Sequence, residues 1–322
     1  MAGGVVKRFE GTEAAQNIEL KHLRVFLAVA ESGSLGEAAK RLKISQPNLT
    51  HVIQSLERSV GGLIFVRSSR GMTPSALGRA LEARARVITG EVGRMWREVG
   101  ELLDIERGSV VVGGGSAFAH PAIKRALKQF CRTYPKVEIE IRDMIVRQVI
   151  PAVKAGEVDY AIATVHKLGD DEVTQEVLLP DQRVSIFAGA NDPIARKRRV
   201  SLQEIWPGPW LLPAKGTVFR SRFEEFFRAA GLPPPQATIA CSSLFLLKSY
   251  LLQGNIFTPL VGYQVGNEIE RNLVRPVRIP ELDWKFDIGV IYRTGVPLPP
   301  AAAKLLEGIR EACAIAKDSQ RP

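Results

Sequence analysis

Between residues 20 and 58 the apolar residues fall into three short helical patterns, and this spacing constrains the fold more than any other feature of the sequence. The first pattern repeats every three or four residues and stops at Gly33, a residue type that favours the end of a helix. Ser34 and Ser45 precede the next two patterns, where a serine hydroxyl can accept a hydrogen bond from a free first-turn amide. Pro47 lies in the first turn of the third pattern, where its missing amide hydrogen costs little. The sequence therefore predicts three helices joined by tight turns.

The third predicted helix has an apolar face and a polar face. Its polar residues, at the N-terminal end and along the outer stripe, are Gln46, Pro47, Thr50, His51, Gln54 and Arg58. Two short helices with a tight turn, the second presenting polar side chains from its first turns, form the geometry that enters the DNA major groove. Residues 61–73 follow as a predicted two-stranded wing, with an apolar strand at 63–66. Arg67 and Arg70 approach the tip of the wing, where basic side chains would lie along the DNA backbone or minor groove.

The positive charge of the chain is concentrated in this same segment. Residues 21–86 contain eleven Lys and Arg against four Asp and Glu, a net +7, whereas the whole chain carries +10. Nucleic-acid affinity needs positive charge gathered on one surface, so this distribution favours DNA binding. A solvated basic face is the alternative interpretation of the charge alone.

A contiguous run of about sixty residues from Leu20 resembles the winged helix-turn-helix of LysR-type transcriptional regulators. The matching pieces are the Ala38-Ala39 pair, Ser45-Gln46-Pro47, Leu56-Glu57, Ile64-Phe65 with Arg67, and the MTPSALG segment. The resemblance implies a bacterial, sequence-specific DNA-binding regulator, with double-stranded operator DNA as its partner and with RNA polymerase as a further partner if it activates transcription. The predicted DNA-binding residues are Ser34, Ser45, Gln46, Pro47, Thr50, His51, Gln54, Arg58, Arg67 and Arg70.

A long helix is predicted from Pro74 to about Ile105, because this stretch has no internal proline. Its apolar residues alternate in steps of four and three: Leu81, Ala85, Ile88, Val92, Met95, Val99 and Leu102. Such a repeat is typical of a coiled-coil seam, although an ordinary buried helix is the alternative. The resemblance implies the same linker helix and a homodimer or homotetramer. We predict a flexible tail at 1–18, a winged helix-turn-helix domain at 19–76 and a linker helix at 77–107.

Beyond residue 108 strand and helix patterns alternate, which predicts an α/β fold whose ligands bind outside the carboxyl ends of the strands. The resemblance extends more loosely over this region, to the effector-binding domain of the same family, which is similar to periplasmic solute-binding proteins. It implies a two-lobed domain at 108–318, with one lobe formed by 109–163 and 294–318 and the other by 164–293. A small-molecule effector would bind in the cleft between the lobes.

Polar residues that follow predicted strands are the candidates for this cleft. They are Ser116, Lys215, Gly216, Thr217, Ser242 and Ser243, together with His120, Arg147 and Thr164. Ser116 follows three glycines, where bare amides and a hydroxyl can meet an anion at the start of a helix. Each group could instead be a plain turn or helix cap. The hydroxyls of Ser116, Thr217 and Ser243 with the cation of Lys215 predict a small carboxylate or a polyhydroxylated metabolite.

Other classes of function find little support in the sequence. The three cysteines are widely spaced, which excludes a disulfide framework or a zinc ribbon, and no segment resembles a signal peptide or a membrane span, so we predict a cytoplasmic protein without a membrane partner. The GGGS run lacks the Lys-Ser/Thr of a phosphate-binding loop, no GxSxG occurs, and the four histidines lack metal-ligand spacing. We therefore predict no enzyme, no metal and no cofactor. A non-specific DNA-organising protein, an α/β enzyme and a thiol redox sensor using Cys131 or Cys241 are the alternatives.

Overall fold

The computed structural model describes residues 18–68, 71–103, 108–165, 170–215 and 217–318. These residues form two compact units. The first contains the described residues up to Leu102 together with Lys154–Glu157, and the second contains the others. Most of the predicted N-terminal tail lies outside the described residues. Ile18, which we placed in that tail, packs against the helical core of the first unit.

Three helices build the first unit around one apolar core, as the spacing of their apolar residues predicts. They are α1 Leu20–Ser32, α2 Leu35–Leu42 and α3 Gln46–Val60. The Ser34 hydroxyl accepts a hydrogen bond from the Glu37 amide at 3.4 Å, and the Ser45 hydroxyl accepts one from the Asn48 amide at 3.4 Å. Gly33 ends the first helix with a positive φ of 64°, a conformation that glycine adopts without strain. The predicted caps therefore fix the two turns.

The wing consists of two antiparallel strands, β1 Phe65–Ser68 and β2 Gly71–Pro74. We predicted its first strand at 63–66, but the structure begins it two residues later. The Ile64 amide donates to the Glu57 carboxylate at 3.1 Å and the Leu63 carbonyl accepts from the Ser75 hydroxyl at 2.7 Å. Because the backbone of these two residues is bonded to side chains near the ends of neighbouring helices, it does not join the strand ladder.

The linker helix α4 spans Ala76–Leu103, close to the predicted range, whose last residues 104–107 lie outside the described part of the chain. Its apolar seam divides into two parts. Leu81 and Ala85 pack against the core of the winged helix-turn-helix, and Ala85 is fully buried there, so Ala85 has no surface to offer to a second chain. Farther along, large apolar side chains remain exposed in this single chain: Ile88, Met95, Trp96 and Val99.

In the described part of the chain, the second unit is built on a mixed seven-stranded sheet. Its strands are β3 Ser109–Gly114, β4 Glu138–Asp143, β5 Tyr160–Val165, β6 Val173–Gly189, β9 Thr258–Val261, β10 Val274–Pro276 and β11 Lys285–Arg293, and a separate parallel pair is formed by β7 Trp210–Leu212 and β8 Ala237–Ala240. The strand order in the sheet is β10-β6-β11-β5-β3-β4, and β9 pairs with β6 outside this path. Pairing is parallel among β3, β4 and β5, as the strand-helix alternation predicts. It is antiparallel where β11 joins β5 and β6.

Helices cover both parts of this unit. They are α5 Pro121–Thr133, α6 Val146–Lys154, α7 Pro193–Arg196, α8 Leu202–Ile205, α9 Val218–Ala229, α10 Leu244–Gln253, α11 Gly266–Glu270 and α12 Pro300–Asp318. The first lobe packs α5 and the returning α12 against the sheet, with Leu305 and Ile309 of α12 fully buried. The second lobe has its own core around Trp210, where Phe223 and Phe227 of α9 pack edge-on against the indole.

The boundary between the lobes differs from the predicted one. We assigned 164–293 to the second lobe, but Leu179, Ile288 and Val290 lie in the core of the first. The cause is the strand order, since β11 pairs with β5 on one side and with the first half of β6 on the other. One strand from the start of the predicted second lobe, β6, and one from its end, β11, therefore complete the sheet of the first.

Candidate DNA-recognition surface and effector cavity

The outer face of α3 presents the polar residues that the sequence indicated. Gln46, Pro47, His51, Gln54 and Arg58 are exposed, while Leu49, Val52, Ile53 and Leu56 are buried beneath them. Thr50 is half-exposed, and its hydroxyl donates to the Gln46 carbonyl at 2.9 Å. Asn48 is a further exposed amide in the first turn that our sequence reasoning missed, although its position beside Pro47 was a sufficient signal.

Ser34 and Ser45 are helix caps, so their hydroxyls serve the backbone of the helix-turn-helix. A side-chain carbon added at Gly36 would lie 3.7 Å from Gln46 Oε1 and 3.8 Å from Ser34 Oγ. The Gln46 amide therefore lies beside the start of α2 as well as at the start of α3. The positive ends of both helix dipoles therefore lie near the Gln46 side chain, where they favour a negatively charged group such as a DNA phosphate.

Basic side chains extend the surface beyond the first turns of α3. Arg58 lines a shallow groove together with His51, Gln54 and Glu57, the groove continues to Leu63, and Arg67 is exposed on β1. Arg70, the other predicted wing contact, lies outside the described residues.

Part of the basic excess counted in the sequence is neutralised within the chain. Arg41 and Arg86 both pair with Glu31, at 2.6 and 3.1 Å, and Lys40 pairs with Glu37 at 2.9 Å. These ion pairs hold Arg41, Arg86 and Lys40 within the first unit, whereas Arg58 on α3 and Arg67 on the wing are exposed.

A cavity of about 480 Å³ lies between the two lobes of the second unit. Six of the nine predicted effector residues line it: Ser116, Arg147 and Thr164 from the first lobe, and Lys215, Thr217 and Ser242 from the second. Gly216 lies outside the described residues. Side chains that are far apart in the sequence thus converge on one space, because the carboxyl ends of β3, β5 and β7 open toward it.

Two predicted residues lie elsewhere. The Ser243 hydroxyl caps α10 and accepts from the Leu246 amide at 3.5 Å. His120 caps α5, with Nδ1 accepting from the Ala122 amide at 3.2 Å, and it faces a separate groove. Burial, with a smaller contribution from nearby Lys124, lowers the pKa of His120 to about 4. Both are polar residues close to the end of a strand, which is why the sequence suggested that they line the cavity. In the structure each side chain instead accepts a hydrogen bond from a backbone amide of the helix that follows it.

The walls of the cavity are mainly aromatic and aliphatic, which the sequence reasoning missed. They include Met144, Ile145, Phe219, Leu244, Leu260, Tyr263, Trp284 and Phe286. The rings of Phe219 and Trp284 are 4.4 Å apart. The rule that pointed to Lys215, a polar residue after a buried strand, applies equally to residues 262–264 after β9 and would have found Tyr263 and Gln264.

Polar groups are few and well separated in this apolar setting. Tyr263 is hydrogen-bonded to Ser116, and burial raises the pKa of its phenol to about 12. The indole N–H of Trp284 is buried and has no hydrogen-bond partner among the described residues. Lys215, Arg147 and Arg222 supply positive charge. The cavity therefore combines a cationic side with an aromatic body.

Hydrogen bonds from Thr217 and Arg220 hold the loop that carries Lys215 in place. The Thr217 hydroxyl donates to the Ala214 carbonyl at 3.0 Å and accepts from the Arg220 amide at 3.2 Å. Arg220 is buried, and its guanidinium donates to Glu224 at 2.6 Å and to the Pro213 carbonyl at 3.5 Å. Thr217 and Arg220 thus position the loop, while Lys215 stays exposed at its tip.

The three cysteines, of which the sequence left Cys131 and Cys241 open as redox candidates, lie in different settings. Cys131 is exposed, Cys241 lines the cavity and Cys313 is buried, where desolvation raises the pKa of its thiol to about 11. Within the described ranges no group of His, Cys, Asp and Glu is arranged to hold a metal ion. The same residues contain no helix that is both long and apolar enough to cross a membrane.

Comparisons with known proteins agree with this architecture. The LysR substrate binding domain matches residues 104–314, and the bacterial regulatory helix-turn-helix protein, lysR family, matches residues 20–79. The HTH-type transcriptional regulator GbpR of Azospirillum brasilense is 25% identical over 307 residues, covering 92% of this chain and 86% of GbpR. An uncharacterised HTH-type regulator of Escherichia coli, YnfL, is 32% identical over 204 residues, covering 62% of this chain and 68% of YnfL.

Solved structures show the same fold over almost the whole chain. The LysR family regulator CbnR matches with a TM-score of 0.67 at 20% identity, covering 92% of this chain and 99% of CbnR. CbnR complexed with its target DNA matches with a TM-score of 0.65 at 20% identity, covering 92% and 100%. Since the substrate binding domain alone spans more than half of its residues, the chain belongs to the LysR family of transcriptional regulators.

Proposed function

We propose that the outer face of α3 reads the base sequence of an operator and that the wing binds the DNA backbone. The supporting observation is the exposed polar stripe from Gln46 to Arg58 above a buried apolar face. A glutamine amide can pair with adenine through two hydrogen bonds, whereas Arg58 and Arg67 suit phosphates. The DNA complex of CbnR, which has the same fold, supports this placement. A regulator of bacterial DNA would act in the cytoplasm.

The test is competition between operator and random DNA after the operator has been located by protection from cleavage. Gln46→Ala should remove about 1 to 3 kcal/mol of discrimination for the operator. Arg67→Ala should weaken binding to both DNAs equally and reduce the salt dependence by about one unit of slope. Operator preference that survives Gln46→Ala would contradict the assignment. Equal affinity of the wild type for both DNAs would indicate a non-specific DNA-organising protein instead.

The exposed apolar part of α4 supports assembly into a dimer. Ile88, Met95, Trp96 and Val99 leave much of their surface open, and large exposed apolar patches mark interaction sites. Three of them, Ile88, Met95 and Val99, follow the four-and-three spacing of a coiled coil, so the partner that matches them best is the same helix of a second copy. The dimer would place two copies of α3 on two halves of one operator.

For the effector, the cavity favours a carboxylate with an aromatic or branched apolar body. We expected either a small carboxylate or a polyhydroxylated metabolite, and the walls formed by Phe219, Trp284 and Phe286 favour the carboxylate. A sugar-like ligand would bury several hydroxyls against apolar walls that offer few partners, and each unpaired hydroxyl is costly. A carboxylate can meet Lys215 or Arg147 while its body fills the aromatic part.

Calorimetric titration of the full-length protein tests this proposal. Benzoate, phenylacetate and gluconate serve as probes, at constant ionic strength. We expect heat from an aromatic carboxylate and none from gluconate, and Lys215→Gln should weaken the aromatic probe roughly tenfold through loss of one charged hydrogen bond. Arg132→Gln, which removes a charge at the exposed end of α5, is the matched control and should leave the titration unchanged. Binding of gluconate alone would overturn the ligand class.

A further inference from the structure

A second groove with a polar lining lies on the opposite side of Tyr263 from the effector cavity. It has a volume of about 650 Å³ and is formed by the start of α5, the middle of β6 and the turn after β9. Its side chains include His120, Arg125, Arg183 and Ser185. Both lobes therefore contribute to the groove, which lies where β6 passes from one lobe to the other.

His120 offers a hydrogen-bond donor to this groove. His120 is only 5% exposed, and because its Nδ1 accepts from the Ala122 amide, the ring proton is held on Nε2. No acceptor for that Nε2–H occurs among the described residues. Because the His120 ring lines the groove, it presents this oriented Nε2–H to a ligand there that accepts a hydrogen bond.

Two arginines add charge to the same surface. Arg125 donates one guanidinium hydrogen to the Ala312 carbonyl at 3.3 Å, which anchors the group and leaves its other donors free of a described partner. Arg183 lies 3.9 Å from Asp283, beyond hydrogen-bond distance. The acidic member of the lining, Asp181, lies 3.9 Å from Lys285. The two arginines outnumber the single carboxylate, so the groove has a positive balance and suits an oxyanion.

The start of α5 contributes in the same direction. Pro121 and Ala122 occupy the first turn of this 13-residue helix and line the groove. The positive end of the helix dipole therefore faces the groove, where it adds to the field of the two arginines.

We propose that this groove is a second ligand site of the regulator, which binds a small oxyanion, a carboxylate or phosphate group, through Arg125, Arg183 and His120. Among the described residues, Tyr263 is the one lining residue that this groove shares with the effector cavity. The ring of Tyr263 contacts His120 edge-on with centroids 5.1 Å apart, and its hydroxyl is hydrogen-bonded to Ser116 of the cavity. A ligand that orders His120 thus also orders a wall of the effector cavity, which couples the two sites.

Calorimetric titration of the full-length wild-type protein with inorganic phosphate and, separately, with malonate tests the inference and distinguishes the two sources of oxyanion. Both runs use constant ionic strength in a chloride buffer. We expect saturable binding of at least one probe. Arg183→Gln and Arg125→Gln should each weaken it roughly tenfold, since each removes a charged hydrogen-bond donor. His120→Asn keeps a cap acceptor for Ala122 but shortens the side chain, and we expect weaker binding there also.

Two controls separate this site from the effector cavity and from general charge. Arg132→Gln removes the same charge from the opposite end of α5, and Lys215→Gln removes a cation of the effector cavity. Both should retain the affinity of the wild type. The inference is overturned if neither probe binds the wild type, if Arg132→Gln weakens binding as much as Arg183→Gln, or if Lys215→Gln alone abolishes it. The last result would place the anion in the effector cavity and would leave the proposed effector site standing.

Discussion

The recognition surface and the effector cavity present polar side chains in opposite ways. On α3 the polar groups stand in solvent along a single helix, and every residue that fixes them lies within about sixty positions in the sequence. In the cavity a few polar groups are set among aromatic rings, and the lining runs from Gly115 to Ile288. The first region depends on local caps and one small core. The second depends on two lobes being correctly paired, so the two regions should respond differently to substitution.

The largest expected effect concerns the half of α4 that the single chain leaves exposed. Replacing Ile88 and Met95 together with Glu places like charges in the proposed seam between two copies, and we expect dimer affinity to fall by about 4 kcal/mol, or roughly a thousandfold. Sedimentation velocity measures the change. Ala83→Glu introduces one glutamate charge at an exposed position off the seam and should sediment as the wild type does. A dimeric double variant would show that assembly relies on the second unit.

Two glycines in α4 test whether the first unit depends on close packing between residues that are near one another in the sequence. A side-chain carbon at Gly78 would lie 2.1 Å from the Ile64 carbonyl, whereas at Gly100 it would meet nothing within 4 Å. Gly78→Ala should cost about 3 kcal/mol of the stability of the winged helix-turn-helix, and Gly100→Ala should stabilise α4 by about 0.5 to 1 kcal/mol. Hydrogen exchange of peptides from α1 to α3 reports the first effect. Equal exchange in Gly78→Ala and the wild type would contradict the close packing.

The third prediction concerns a residue of the second unit that burial keeps neutral. The folded-state pKa of His120, about 4, lies below its ordinary value of 6.5, so the unfolded chain binds the proton more tightly. The resulting stability is complete above pH 6.5 and is lost as the pH falls toward 4, by up to about 3 kcal/mol. Urea unfolding of the second unit across this range should show the slope, and His120→Asn should flatten it. A slope unchanged in the variant would assign the acid sensitivity to other groups.

The smallest expected effect is at the cap of the recognition helix. Ser45→Ala removes the acceptor of the Asn48 amide and should cost about 1 kcal/mol of helix stability. Because the cap is local, the effector titration should not change, while operator affinity should fall slightly. Ser45→Asp restores an acceptor and is the matched control for stability. A loss of effector binding in Ser45→Ala would break the distinction between the two regions.

The sequence predicts the first unit well because its determinants are short-range. Ser34 and Ser45 cap the helices that follow them, and the apolar spacing in α3 decides which side chains point outward. The start of the wing strand was wrong because a carboxylate on α3, Glu57, bonds the Ile64 amide, a contact that no local pattern encodes. In the cavity the polar rule found Ser116 and Lys215, but the aromatic wall was missed because Phe219 and Trp284 meet only after both lobes have formed.

The same reasoning explains His120 and the lobe boundary. His120 satisfies the rule for a pocket residue, yet it caps its own helix, and sequence alone does not distinguish the two uses of a polar side chain. The boundary was misplaced because sequence order suggested that β11 closes the second lobe. Its partners β5 and β6 are selected by long-range pairing, which depends on the assembled sheet.

That pairing has an evolutionary consequence. Gln182 and Arg183 of β6 stand opposite Phe286 and Lys285 of β11, so the chain leaves the first lobe and returns to it on adjacent strands. The intervening hundred or so residues are in effect a cassette whose two ends lie side by side. Segments with adjacent ends can be inserted or exchanged without moving the ends of their host. A gene of this kind can therefore change half of its effector cavity by a single recombination event while it keeps the half that is built on the first lobe.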